Sequence, residues 1–99
     1  MLYAIHCLDH ANALSPRIEN YDAHRNYLNA TKTNIVLAGP VTADDGSTPI
    51  GSVMIISVNS KEEAERFNQG DPFYQLDVWN KASIRIQPFI KRRGWSEEL

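Results

Sequence analysis

Hydrophobic residues fall in short runs along this chain, each closed by a polar or turn-forming cluster. Leu2-Tyr3-Ala4-Ile5-His6-Cys7-Leu8 is mostly apolar and gives way to Asp9-His10-Ala11-Asn12, the pattern of a first strand entering a loop. Ser15-Pro16 then opens a helix, because serine can cap free amides and proline at a first helical position has no hydrogen bond to lose. The spacing predicts a helix from about Pro16 to about Lys32, with Leu14, Ile18, Tyr21 and Leu28 on its apolar stripe. Arg25 falls on the same stripe, where its stem can lie along the core with the guanidinium outward.

Asn34 to Val41 is rich in Ile, Val and Leu and closes at Gly39-Pro40, a second strand. Asp44-Asp45-Gly46-Ser47-Thr48-Pro49 is dense in turn formers and reads as a loop. Gly51 to Val58 is a third strand with two apolar faces, Val53 and Ile55 on one and Met54, Ile56 and Val58 on the other. Such a strand needs a cover on each side. Ser60-Lys61-Glu62-Glu63 is a capping box that starts a helix ended by Gly70, with Ala64 and Phe67 on its inner side. After Asp71-Pro72-Phe73 and an irregular stretch through Trp79, the alternation Ala82 to Pro88 predicts a final strand.

The order β-α-β-β-α-β defines an α+β fold of the ferredoxin-like kind, with both helices against one face of an antiparallel sheet. The opposite sheet face is then bare. An open apolar face is a place for a second copy to dock, so a homodimer with two sheets packed face to face is expected. The 99 residues show no repeat, linker or low-complexity tract, which predicts a single domain with its core in 1–90 and a tail over 91–99.

Charge narrows the partners. The formal net charge is −2, and the one basic run, Lys91-Arg92-Arg93, is followed at once by Glu97 and Glu98, a solvated tail rather than a nucleic-acid surface. No stretch approaches the roughly 20 apolar residues of a membrane span, and the start carries no basic leader. Cys7 is the single cysteine, so no internal disulfide forms and a reducing, cytoplasmic compartment fits best. His6-Cys7 with His10 is a poor metal site, because alternation points His6 and Cys7 to opposite sides of a strand. Gly39-Pro40 and Asp45-Gly46 lack the lysine and glycine patterns of phosphate cradles and read as turns. Tyr3, Phe73 and Trp79 can form pocket walls, though aromatic residues in a small chain more often belong to core or interface.

Arg17 and His24 are seven residues apart, which on one helix places them nearly in register, about 10 Å apart along the axis. They can line a pocket between helix and sheet; equally, His24 can be an ordinary histidine at a helix edge. Asp71 follows the Gly70 helix end, and Pro72 restricts its backbone. If Asp71 accepts from one ring nitrogen of His24, it fixes the tautomer and frees the other nitrogen to take a proton. Asp71-Pro72 can also be only a turn, since spacing alone does not bring the two together.

Tyr21-Asp22-Ala23-His24-Arg25, Ala38-Gly39-Pro40, Asp45-Gly46, Gly51-Ser52, Ser60-x-Glu62-Glu63-Ala64-x-x-Phe67 and Asp71-Pro72-Phe73, in this order, resemble the successive signatures of the YCII-like family. The resemblance runs from the first strand to Pro88-Phe89 and implies a ferredoxin-like fold of the dimeric α+β barrel type, with a dyad at His24 and Asp71. One branch of that family resembles a dehydrochlorinase of a chlorinated hydroxyhydroquinone: a base takes a hydroxyl proton, chloride leaves and a quinone-type product forms. In that branch a proline orients the dyad while an arginine and a serine stabilise the oxyanion, roles that would fall on Pro72, Arg17 and Ser52. An arginine stays charged at any relevant pH and a hydroxyl can donate to a phenolate, so the roles are chemically coherent. Ser52 also follows Gly51 at a strand start, where a ligand can approach the backbone, or is an ordinary strand serine.

Two functions are compatible with these residues. One is a small lyase-like or isomerase-like enzyme that uses His24 and Asp71 as a general base on a small hydroxylated substrate and needs no metal or organic cofactor. The other is a non-catalytic module that binds an anion through Arg17 and protonated His24, since this scaffold serves many roles.

Overall fold

Period-two alternation decides the sheet. Along β1 (Leu2–Leu8), Tyr3, Ile5 and Cys7 are buried while Leu2, Ala4 and His6 are only partly covered. Along β3 (Pro49–Ser57), Ser52, Met54 and Ile56 are buried and Val53 and Ile55 are not. The two strands pair antiparallel with Ile5 opposite Met54, so the buried sets share one face. Full burial of a Met or Ile side chain contributes on the order of 1.5–3 kcal/mol, and a one-residue slip would expose all of them at once.

The computed structural model describes residues 1–94 of the chain. Between β1 and β3 lie α1 (Leu14–Glu19), α2 (Tyr21–Ala30) and β2 (Asn34–Thr42); after β3 come α3 (Lys61–Gly70), α4 (Pro72–Gln75), a 3₁₀ turn at Lys81–Ser83 and β4 (Arg85–Phe89). The four strands form one antiparallel sheet in the order β2-β3-β1-β4, the arrangement of a ferredoxin-like α+β fold. Ala64 and Phe67 of α3, with Phe73, Val78 and Trp79, pack on the Tyr3, Ile5, Met54 and Ile56 face. The other face carries Leu2, Val36, Leu37, Val53, Ile55 and Phe89 around a shallow groove of about 400 Å³. No helix among the described residues is long and apolar enough to cross a membrane. Glu97 and Glu98, the acidic end of the tail, lie outside the described residues.

The first helical segment differs from the continuous helix that its periodicity predicts. It breaks at Asn20, whose backbone N–H and side-chain Nδ2 both donate to the Pro16 carbonyl, at 3.0 and 2.9 Å. Asparagine side chains compete locally for backbone carbonyls, and this one closes α1 before α2 begins with His24 N–H donating to Asn20 O. Ser15 is not the cap: α1 starts earlier, at Leu14, and the Ser15 hydroxyl lies within 3.4 Å of Glu19 Oε1. Leu14, Ile18 and Tyr21 remain exposed, and the latter two border an open cleft instead of a closed core. Arg25 is exposed as well, over the Tyr21 ring and beside Asp22.

The second helix start behaves as its capping box implies, with Ser60 Oγ accepting from Glu63 N–H. Glu63 reaches back to the Asn59 amide instead of that of Ser60. The last strand starts at Arg85, later than its alternation predicts, since Asn80 Oδ1 accepts from Ala82 N–H and winds 81–83 into a 3₁₀ turn.

Candidate active site

Asp71 is placed by its neighbours in sequence. A residue before proline is excluded from helical backbone, and Asp71 is extended, with φ −72° and ψ 134°. That conformation suits a helix cap, so its Oδ1 accepts the Phe73 N–H at 2.9 Å, while Pro72 takes the first position of α4 where no N–H is needed. The carboxylate is fully buried.

His24 is brought to it by the docking of α2 on α3. Tyr27, one turn after His24, donates its hydroxyl to Phe67 O at 2.7 Å and stacks on the Phe67 ring. The approach passes over Gly70, where a Cβ would sit 2.5 Å from the Tyr27 hydroxyl oxygen. Gly70 thus ends α3 and also leaves the room that α2 needs. As a result His24 Nδ1 lies 2.8 and 2.7 Å from Asp71 Oδ1 and Oδ2, with the histidine side chain 12% exposed. Its ring stacks on Phe73 and meets Trp79 edge-on. Nε2 has no hydrogen-bond partner among the described residues.

Arg17 and Ser52 form the other half of the site. Arg17 Nε and Nη2 donate to Asp9 Oδ2 and Oδ1 at 2.7 and 3.0 Å, and Nη2 also donates to Ser52 Oγ at 2.7 Å. Trp79 Nε1 donates to the same hydroxyl oxygen at 3.2 Å. The Arg17 guanidinium carbon lies 4.7 Å from the Phe73 ring centroid, so Phe73 touches both halves. Arg17, His24 and Ser52 all border one cleft of about 400 Å³, walled by Ile18, Tyr21, Leu28 and Pro40.

The five residues singled out from sequence, Arg17, His24, Ser52, Asp71 and Pro72, therefore meet in one place, although Arg17 and His24 stand on two helices instead of one. Gly51 has a different use from the one its position implies. The space beside it is filled by β1, with the Cys7 carbonyl oxygen closing the place where a Cβ would stand, so backbone and not ligand approaches there. His6, Cys7 and His10 form no metal-binding cluster, and none occurs among the described residues. Burial drives the Cys7 thiol up to about 12, with the nearby Asp71 and Asp9 adding to the rise. Asp9 was legible only as part of a polar loop, and Trp79 only as an aromatic in an irregular stretch. An acidic residue directly after an apolar strand was the one available signal for Asp9, and periodicity gives it no partner.

The fold and the site define a class: ferredoxin-like α+β proteins with a carboxylate-held histidine bordering a helix-side cleft. The chain belongs to the YCII-related domain family, whose model matches residues 1–90. It is similar to Protein YciI of Escherichia coli and of Shigella flexneri, 32% identical over 98 residues in each case, covering 92% of this chain and 98% of the relative. Among solved structures it is similar to 5-chloro-2-hydroxyhydroquinone dehydrochlorinase (TftG) from Burkholderia phenoliruptrix in complex with 2,5-dihydroxybenzoquinone. That likeness has a TM-score of 0.79 and 31% identity over 91% of this chain and 94% of the other.

Proposed function

We propose that this chain is an enzyme without an organic cofactor, in which His24 acts as general base on a small hydroxylated substrate bound in the cleft. The observation that carries the reading is the pair itself: Nδ1 on a buried carboxylate, and Nε2 unpartnered in a residue that borders the cleft. An ionised carboxylate only accepts, so Asp71 keeps the proton on Nδ1 and leaves the Nε2 lone pair as the base. Pro72 acts through Asp71, as a positioning residue.

The solved relative acts on a chlorinated hydroxyhydroquinone, and the same chemistry suits this cleft. Nε2 takes a hydroxyl proton and the oxygen's electrons move through the ring, so that the chlorine-bearing carbon takes up a proton; chloride then departs with the carbon–chlorine bonding pair as a second hydroxyl gives up its proton and becomes a carbonyl. The net change is loss of HCl, with no oxidant or reductant consumed. Ser52 and Arg17 stand where negative charge on a second substrate oxygen can be met.

The test is turnover on a panel of chlorinated and unchlorinated hydroxyhydroquinones, followed by chloride release and quinone absorbance. His24→Asn is expected to reduce kcat by about 10²–10⁴-fold. Unchanged turnover in that variant refutes the base, and ligand binding without turnover by the unaltered protein assigns the cleft to a binding module.

Residues 1–90 are taken as one folding unit, and the chain as a homodimer closed by the sheet face around Val53, Ile55, Leu37 and Phe89, an apolar face bordered by Lys91, Arg93 and Gly94 of the tail. Light scattering that returns the monomer mass at micromolar concentration refutes the dimer. A cytoplasmic setting accords with the single, unpaired Cys7.

A further inference from the structure

Arg25 breaks the pattern of its helix. Tyr21, His24, Arg25 and Leu28 stand at i, i+3, i+4 and i+7, which on α2 makes one stripe, and all four border the cleft. Such a stripe is ordinarily apolar. His24 has its reason in Asp71, but Arg25 has none in packing: it takes no part in the core, and its side chain is 57% exposed. A residue that departs from the local pattern without serving the core marks a place to look for function.

The charges around the cleft give Arg25 a use. No carboxylate borders the cleft among the described residues; its basic side chains are Arg17, His24 and Arg25. Arg17 is already matched by Asp9 through two bonds, and His24 by the buried Asp71. Arg25 reaches only Asp22, through one nitrogen at 3.5 Å, and that carboxylate is 81% exposed and does not border the cleft. So solvated a pair holds weakly and is readily exchanged for a ligand's carboxylate. The guanidinium carbon meanwhile lies 5.7 Å from the centroid of the Tyr21 ring, which seats the cation against a wall of the cleft.

We propose that Arg25 is a specificity residue of the cleft, and that the substrate class it selects is a hydroxylated ring that also carries a carboxylate. The ring lies against the apolar walls of Ile18, Leu28 and Pro40, and the carboxylate is held by the Arg25 fork at the solvent side. A planar guanidinium meets a carboxylate through two parallel bonds, which a neutral substituent of the same shape does not reproduce. This deepens the proposed function by naming its substrate class. It rests on that reading only in taking the cleft as the ligand site, and it does not require proton transfer.

The test is a pair of probes that differ in charge and hardly in shape, 2,5-dihydroxybenzoate and 2,5-dihydroxybenzamide, titrated calorimetrically into the full chain at pH 7. At about 20 mM salt the carboxylate is expected to bind about fivefold more tightly than the amide, the upper end of what an exposed ion pair supplies, and the preference is expected to shrink at about 0.5 M salt. Arg25→Gln is expected to abolish the preference while leaving the affinity for the amide unchanged, which a merely structural role would not do. Arg25→Lys is expected to restore part of it, because the charge returns without the fork. The proposal is overturned by absence of binding of both probes at millimolar concentration, by equal affinities in the unaltered protein, by a preference that survives Arg25→Gln, or by equal loss of both probes in that variant. Failure of the general-base reading shows instead as unchanged turnover in His24→Asn, a readout that these titrations do not use.

Discussion

The His24 imidazole lies almost parallel to the Phe73 ring, with 7° between the planes and 4.1 Å between centroids. Phe73 also donates its backbone N–H to the Asp71 carboxylate that His24 binds. One residue thus sets both the tilt of the imidazole and the position of the acid. Replacing Phe73 with leucine keeps an apolar filling but removes the flat support, and is expected to destabilise the fold by about 1–2 kcal/mol. The sharper effect is on order: the His24 ring resonances are expected to broaden relative to those of the unaltered protein, as the ring samples more than one rotamer. A Phe73→Leu protein with unchanged His24 resonances would show that the Asp71 bond alone holds the ring.

Gly70→Ala separates helix propensity from packing. In an exposed helix end the change would favour the fold by up to about 1 kcal/mol. Here the new methyl meets the Tyr27 hydroxyl, which is anchored on Phe67 O, and that bond must break or α2 must move. The expected net result is destabilisation by about 1–2 kcal/mol in urea unfolding, since a displaced hydroxyl leaves the Phe67 carbonyl unsatisfied. Turnover is expected to fall too, because α2 carries His24. A Gly70→Ala protein more stable than the original would remove Gly70 from this account.

Where the sequence was readable, the cause was local. Alternation in Tyr3, Ile5 and Cys7 needs only the pleat, the Ser60 cap needs only four residues, and the extended backbone of Asp71 needs only the proline that follows it. What escaped was set by partners far along the chain or by a choice between nearly equal local bonds. Asn20 is an acceptable helical residue until its side chain takes the Pro16 carbonyl, and nothing in the apolar stripe distinguishes the two outcomes. Asp9 belongs to a polar cluster until Arg17, eight residues on, folds back against it. The meeting of His24 with Asp71 spans 47 positions and depends on Tyr27 passing over Gly70, a steric fact invisible to patterning.

Cys7 gives a test of how closed the site's floor is. Its thiol is raised to about 12, first by burial and then by the Asp71 and Asp9 carboxylates nearby. At pH 8 the thiolate, the reactive form, is almost absent in the folded state, so iodoacetamide is expected to label Cys7 only as fast as the protein opens, and promptly in urea. The linkage has a definite sign. A proton held more tightly in the folded state than in the unfolded one contributes stability that is complete below the unfolded value of about 8.5 and is lost as pH rises toward about 12. Prompt labelling of the native protein at pH 8 would mean that the floor of the site is open to solvent.

The loop between β2 and β3 titrates at the other end of the scale. The Asp45 carboxylate accepts from the Thr48 hydroxyl and from the backbone N–H groups of Ser47 and Thr48, the latter two at 2.9 Å, and these bonds lower its pKa to about 2. Because the folded value lies below the unfolded one of about 3.9, the loop's contribution is present above pH 4 and is lost as pH falls through about 2. The Ser47 and Thr48 amide resonances are therefore expected to move together with a midpoint near 2, and Asp45→Asn should abolish that step. Pro49, which ends the loop, borders the cleft, so the same measurement bears on function. With the loop's order constant from pH 5 to 8, a change in turnover across that range must arise in the site itself, and a loop midpoint near 4 would refute this assignment.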